Sequence, residues 1–192
     1  MKIFVDAGAY KGLTVKAFKN SEEYTEDFKI YAFEPNPHAK VHKNPRGAIV
    51  IKKAVWIKDG VESFYTNRKH KVCQGASLLR EKTSGGLNKK KPLKVETVDF
   101  GKWIMQFDIT DYIIVKMDIE GAEFRVLDKM IKDGSINYID KLYLETHGIH
   151  VGQSDDKLHE KLAKIKTLKV EAEYSHLTYK KEKYAQVDKK RT

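Results

Sequence analysis

Short apolar runs that each stop on an acid set the tightest limit on how this chain can fold. Lys2-Ile3-Phe4-Val5 runs into Asp6, Lys29-Ile30-Tyr31-Ala32-Phe33 into Glu34, Asp111-Tyr112-Ile113-Ile114-Val115-Lys116-Met117 into Asp118, and Asp140-Lys141-Leu142-Tyr143-Leu144 into Glu145. Runs of this length without strict alternation suit strands covered on both faces. Helical spacing lies between and after them. Leu13, Ala17 and Phe18 share a side of a helix running from Gly12 to Phe18; Phe124, Val126, Leu127, Met130 and Ile131 form a second stripe; Leu158, Leu162 and Ile165 follow a start at Ser154. Strands alternating with helices predict an α/β fold built on a doubly wound, mostly parallel sheet. In such sheets ligands bind beyond the carboxyl ends of the strands, where the strand order switches. Asp6, Glu34, Asp118 and Glu145 therefore belong on one edge, and since buried carboxylates need partners, that many acids together exceed what packing requires.

The first of these strands breaks into Ala7-Gly8-Ala9-Tyr10-Lys11-Gly12, a turn that opens a helix. Glycines there let the backbone approach a ligand and aim its amides at it, although the same pattern serves a ligand-free turn equally well. Glu34 stands where two-strand cofactor folds place the acid that accepts hydrogen bonds from ribose hydroxyls. The plainer alternative is a helix-start acid, with Pro35 and Pro37 breaking the strand and Asn36 capping the next turn.

Ala48-Ile49-Val50-Ile51 followed by Ala54-Val55-Trp56 predicts a third strand at the same edge, and Lys58-Asp59-Gly60 a turn into a small hairpin over 61–65. The polar, Lys- and Gly-rich stretch 66–94 is too long for a mere connection and is predicted as a substrate loop or lid. Ser77 and Arg80 within it are candidates for contacting substrate hydroxyls or an anionic group, against the alternative of a solvated loop. Val95 to Asp99 leads into a helix around Trp103, Ile104 and Phe107. Val170, Ala172 and Tyr174 are predicted to pair with Tyr184-Ala185-Gln186-Val187 as antiparallel closing strands. With no internal repeat or boundary signal, residues 1–192 read as a single domain.

Composition closes off other classes. A chain of 192 residues with 41% hydrophobic and 10% aromatic residues can bury a core, which argues against disorder. The 37 Lys+Arg against 27 Asp+Glu leave a formal charge of +10, suited to a polyanionic partner or to a solvated lysine surface. The basic residues are mostly scattered lysines without an aromatic-basic groove, so a nucleic-acid partner is not expected. The single Cys73 rules out an intramolecular disulfide and a cysteine zinc cluster. No stretch approaches the ~20 apolar residues of a membrane span, and the chain starts on a core strand without a leader, so a cytoplasmic protein is expected.

Taken together, Val5-Asp6-Ala7-Gly8-Ala9 with Gly12, Phe33-Glu34-Pro35-Asn36-Pro37, the Ala54-Val55 strand and above all Lys116-Met117-Asp118-Ile119-Glu120-Gly121-Ala122-Glu123 carry a likeness that spans nearly the whole chain. It resembles the FkbM family of S-adenosylmethionine-dependent methyltransferases. The resemblance implies a Rossmann-like class I methyltransferase fold and S-adenosylmethionine as cofactor. Asp6, Gly8, Ala9 and Gly12 would line its methionine half, Glu34 would hold the ribose, Asn36 would lie near the adenosine and Ala54 and Val55 near the adenine, with Ala7, Tyr10 and Pro35 also binding the cofactor. Asp118 would serve either the cofactor or catalysis. Members of the family are associated with O-methylation of sugars and other hydroxyl-bearing metabolites, so the expected acceptor is a sugar or glycan hydroxyl.

The chemistry is coherent, because carboxylates stabilise a sulfonium and an ammonium, and a cofactor without phosphate needs no Walker lysine. In-line transfer needs an aligned acceptor and a group to take its proton. Asp118, Glu120, Glu145 and His147 are the expected catalytic group, with Glu120 also touching substrate. His147 is the most natural base because its reference pKa lies near neutrality. The alternatives are a histidine satisfied at the sheet edge, and Glu120 or Glu123 as a cap of the next helix. Metal-free deprotonation is expected, with Mg²⁺ held by the same oxygen-rich group as the alternative. Without a segment before the first strand, acceptor choice falls to the middle loop or to a homodimer. Two readings compete: an RNA 2′-O-methyltransferase, and a non-catalytic cofactor-binding subunit.

Overall fold

The protein was analysed as a computed structural model, which describes residues 1–67 and 73–171. In chain order its elements are β1 (Lys2–Ala7), α1 (Leu13–Lys19), β2 (Phe28–Phe33), β3 (Ile49–Ile51), β4 (Ala54–Trp56), β5 (Gly60–Phe64), β6 (Leu93–Asp99), α2 (Phe100–Ile104), β7 (Tyr112–Met117), α3 (Glu123–Asp133), β8 (Lys141–Leu144), α4 (Gly148–Val151), α5 (Asp155–Leu162) and β9 (Lys169–Glu171). Six strands form the main sheet in the order β3-β2-β1-β7-β8-β9, and every pairing in it is parallel. The order reverses between β1 and β7, which opens a crevice at their carboxyl ends.

Alternation along the central strands builds two cores. Ile3, Val5 and Ala7 of β1, with Ile113, Val115 and Met117 of β7, face the side covered by Ile104, Leu127, Met130, Leu158 and Leu162 from α2, α3 and α5. Phe4 and Ile114 point the other way, onto Val15 and Phe18 of α1 and onto Val41. Phe4 and Phe18 stack with their ring centroids 3.9 Å apart. Truncating a fully buried side chain such as Leu127 to Ala should cost about 2–5 kcal/mol. The helix carrying it ends on Gly134, whose φ of 80° supplies the left-handed cap.

Several local expectations change. Leu13, expected on the buried side of α1, is exposed, and the helix buries Val15, Ala17 and Phe18 instead. The predicted third strand is two strands in different sheets: β3 extends the main sheet beyond β2, whereas β4 joins a three-stranded sheet in the order β4-β6-β5. The expected hairpin is also absent, because β6 inserts between β4 and β5. Thr97 of β6 is in register with Ala54 on one side and Gly60 on the other. Its hydroxyl donates to the Lys58 carbonyl at 3.0 Å, and the Asp59 carboxylate accepts the Asp99 amide at 3.2 Å, so the turn residues close onto β6.

β9 joins β8 in parallel, and the expected antiparallel pairing lies outside the described residues, as do Ala172, Tyr174 and Tyr184 to Val187. Before β6 takes up its last two residues, the described part of the middle segment carries only isolated bridges, Ser77 with Tyr65 and Asn67 with Leu87. It is nonetheless packed, since Ser77, Leu79, Lys82 and Leu87 are buried. Among the described residues no helix is long and apolar enough to cross a membrane.

Candidate active site

A cleft of about 370 Å³ lies beyond the carboxyl ends of β1, β2, β7 and β8, closed on its far side by β4, Phe64 and the middle segment. Among the described residues every charged side chain lining it is an acid: Glu34, Asp118, Glu120 and Glu145. From the first turn only Gly8 and Tyr10 reach it; Asp6, Ala7, Ala9 and Gly12 do not line it.

Gly8 is required by geometry. At φ +90° a Cβ would stand 1.9 Å from the Asp118 carbonyl oxygen, so the turn after β1 touches the end of β7 directly. Behind that contact Asp6 is fully buried in register with Lys116. The Lys116 ammonium sits 3.4 Å from Asp6 Oδ1, 3.3 Å from Asp118 Oδ2 and 3.3 Å from the Gly8 carbonyl, fastening the two strand ends. Burial raises the pKa of Asp6 more than Lys116 lowers it, and Asp6 Oδ2 has no hydrogen-bond partner among the described residues.

Glu34 closes β2 and is 5% exposed. Its Oε2 accepts the Tyr10 amide and its Oε1 the Asn36 amide, both at 2.7 Å. Burial nevertheless outweighs these two bonds and pushes its pKa to about 7. Asn36 makes a turn of its own, accepting the His38 amide at 3.0 Å. Phe33, Pro35, Asn36, Ala54 and Val55 line the same end of the cleft.

After β7 each residue of the acidic signature has a separate task. Asp118 ends the strand and faces the cleft. Glu120 sits at φ 60°, a left-handed conformation that costs a non-glycine residue about 1–2 kcal/mol. Gly121 follows at φ +101°, where a Cβ would come within 2.6 Å of Val151. Glu123, fully buried, receives the Ile119 amide on Oε1 at 2.7 Å and the Gly121 amide on Oε2 at 2.8 Å. Of the two acids offered as helix caps, Glu123 thus holds the turn at the start of α3, and Glu120 is left to the cleft.

His147, just after β8, stands among these acids. Nδ1 is 3.3 Å from Glu123 Oε1, and Nε2 is 3.5 Å from Glu120, 3.8 Å from Glu145 and 3.9 Å from Asp118. Burial alone would lower its pKa, but the bond to Glu123 and the charges of Glu123, Glu120 and Asp118 prevail and push it up to about 9. At neutral pH the ring is therefore an imidazolium, and the reason for expecting His147 as base, a pKa near neutrality, does not hold in this setting. Glu145 is half-exposed and its pKa is raised, first by burial and then by Asp118. Donor atoms of Asp118, Glu123 and His147 lie within 4.8 Å of one another, a spacing open to a metal ion, although both Glu123 oxygens already hold backbone amides.

Ser77 and Arg80 do not line the cleft. Ser77 is buried and donates to the Glu120 carbonyl at 2.8 Å; Arg80 is exposed. Two cations, Lys116 and Lys82, hold acids of the site. A lysine inside the apolar β7 run, on the same face as Asp118, is the available signal for Lys116. Lys82, whose buried ammonium donates to Glu120 Oε2 and to the Gly75 carbonyl, carries none, because it sits in a stretch of ordinary surface-like composition.

Comparison with known proteins agrees with this architecture. Neither the curated proteins nor the solved structures contain a match. The family described as the methyltransferase FkbM domain matches residues 6–181, and that span takes in both the glycine turn and the acidic signature. The chain belongs to the FkbM methyltransferase family.

Proposed function

We propose that this methyltransferase uses S-adenosylmethionine to methylate a hydroxyl of a sugar or glycan. The observation that carries the reading is the charge of the cleft, which is lined by acids and by no basic side chain among the described residues. A nucleotide phosphate would meet repulsion there, whereas a sulfonium with an ammonium is stabilised. The residues fit that cofactor: Glu34 has lone pairs left for the ribose hydroxyls after taking two amides, Ala54 and Val55 offer an apolar wall to the base, and Gly8 lets the backbone approach. When bound, S-adenosylmethionine supplies an activated methyl group.

The chain's own residues then act on the acceptor. Asp118, Glu120 and Glu145 line the cleft around the His147 ring, where they accept hydrogen bonds from acceptor hydroxyls and orient one of them. Glu145 takes the hydroxyl proton, because its raised pKa brings its proton affinity closer to that task. His147 stays charged and holds the acids in place, offsetting part of their mutual repulsion. The middle segment, as the opposite wall, selects the acceptor.

An RNA 2′-hydroxyl is the second reading, favoured by the +10 charge of the chain, but the same acids would repel its phosphates. Incubation with methyl-labelled S-adenosylmethionine and a panel of glycans, nucleotide sugars and RNA separates the readings. Label is expected on a glycan or sugar hydroxyl. Label on RNA alone would reverse the order, and a wild-type chain that does not bind S-adenosylmethionine in calorimetry would end the proposal.

A further inference from the structure

Lys82 has 1% of its side chain exposed, in a segment whose other described lysines, Lys89 to Lys91 and Lys94, are exposed. Burying an ammonium costs several kcal/mol unless it is paired and hydrogen-bonded, so its partners define what it is for. Its Nζ donates to the Gly75 carbonyl at 2.9 Å and to Glu120 Oε2. Gly75 belongs to the wall formed by the middle segment and Glu120 to the wall formed after β7, and both line the cleft.

Ser77, from the same segment, donates to the Glu120 carbonyl at 2.8 Å. Residues 75–82 therefore grip Glu120 by backbone and side chain at once. That grip explains how Glu120 persists at φ 60° without being a glycine: strained backbone survives where its surroundings over-determine it. His147 Nε2, 3.5 Å from the same Oε2, restrains the carboxylate from the other side.

Resting on the methyl-transfer reading, we propose that Lys82 is a positioning residue which fixes the Glu120 carboxylate at the acceptor end of the cleft, so that the segment facing the acceptor also sets the acceptor's orientation. The competing role is a plain anchor of the segment, with Glu120 incidental. The two differ in whether the effect of Lys82 passes through Glu120.

The test uses the full chain with Lys82→Met and Lys82→Arg, each alone and combined with Glu120→Gln. S-adenosylmethionine affinity by calorimetry should stay within about twofold between each folded Lys82 variant and its own Glu120 background, since Lys82 does not line the cleft. With the acceptor identified by label transfer, kcat/KM for that acceptor should fall about 10- to 100-fold in Lys82→Met and recover to within a few-fold in Lys82→Arg. Lys82→Met should cost nothing further once Glu120 is Gln. A folded Lys82→Met with unchanged kcat/KM overturns the proposal, and so does a loss of the same size in the Glu120→Gln background. If wild type binds S-adenosylmethionine but methylates no acceptor, the parent reading fails separately. Unfolding of wild type, the two single variants and the double variant then decides, because additive effects of Lys82→Met and Glu120→Gln would show no coupling and overturn it.

Discussion

β7 and β8 carry a polar cluster near each end, and the two are built on opposite terms. Toward their amino ends Glu23 accepts from the Tyr143 hydroxyl at 2.8 Å, from Lys141 at 3.1 and 3.2 Å, and from the Tyr112 hydroxyl at 3.4 Å. Lys141 also meets Glu171 at 3.3 Å. Burial alone would lower the Lys141 pKa, yet its bonds to Tyr143 and Glu23 hold it above the ordinary lysine value. Donors and acceptors there balance. Beyond the carboxyl ends, Asp118, Glu120, Glu123 and Glu145 share the His147 ring with help from Lys82 and Lys116, and Glu34 and Glu145 are held with raised pKa values. Negative charge is in surplus on that side. A balanced cluster fastens strands; a surplus of one sign is a cost to folding that makes sense where a cation and hydroxyl donors are to bind.

Exchanging one acid from each cluster gives the largest test of this division. Glu145→Gln should lower kcat by about 100-fold or more, the scale of a lost general base, while leaving the urea midpoint nearly unchanged. Glu23→Ala should do the reverse. It removes the carboxylate that accepts from the Tyr143 hydroxyl and one of the two carboxylates paired with Lys141, which should cost about 2–4 kcal/mol in urea unfolding, with turnover of the folded fraction intact. A Glu23→Ala chain that keeps its stability but loses turnover would break the comparison.

Acid and base should then separate the clusters through His147. Its folded pKa of about 9 lies above the ordinary histidine value of 6.5, so the stabilisation it carries is fully present below pH 6.5 and is lost as pH rises through 9. Unfolding free energies measured from pH 6 to pH 9.5 should fall by at most roughly 3 kcal/mol, and His147→Gln should flatten that slope. A slope of equal size in His147→Gln would assign the titration elsewhere.

Glu34 gives a smaller, opposite dependence, on binding. A carboxylate with a pKa of about 7 accepts ribose hydroxyls in its ionised form, so S-adenosylmethionine affinity should rise by up to roughly tenfold per pH unit below 7 and level off above it. Glu34→Gln should weaken binding and remove the pH dependence. Calorimetry from pH 5.5 to 8.5 reads both effects.

How much of this is legible in the sequence depends on how local each signal is. Strands ending on Asp6, Glu34, Asp118 and Glu145 announce the functional edge, because a strand's direction and a sheet's crevice come from the alternation of elements alone. The family signature locates Glu120 and Glu123 but not their division of labour, which depends on φ at Glu120 and on amides at Ile119 and Gly121. The hairpin expected at Lys58-Asp59-Gly60 fails because β6, more than thirty residues away in the chain, occupies the place of the local partner. Arg80 looks equivalent to Lys82 in a polar stretch, and only packing sends one to solvent and the other under the cleft. His147 is recognisable by type and place, while its protonation state is set by acids arriving from β7, the turn after it and β8.

The smallest expected effect bears on the metal. Asp118, Glu123 and His147 come close enough to share an ion, yet to join it His147 would have to give up the proton that the surrounding acids hold on it, with a pKa pushed up to about 9. Losing that proton would remove the charge that offsets the repulsion among the acids, so the third ligand is available only at the expense of the cation the site already holds. Methyl transfer measured after exhaustive treatment with a chelator should therefore be unchanged within about twofold, a barrier change of about 0.4 kcal/mol or less. Activity abolished by the chelator and restored by Mg²⁺ or Mn²⁺ would mean that the surplus of acids serves a metal ion first, with Glu145 freed from the role of base.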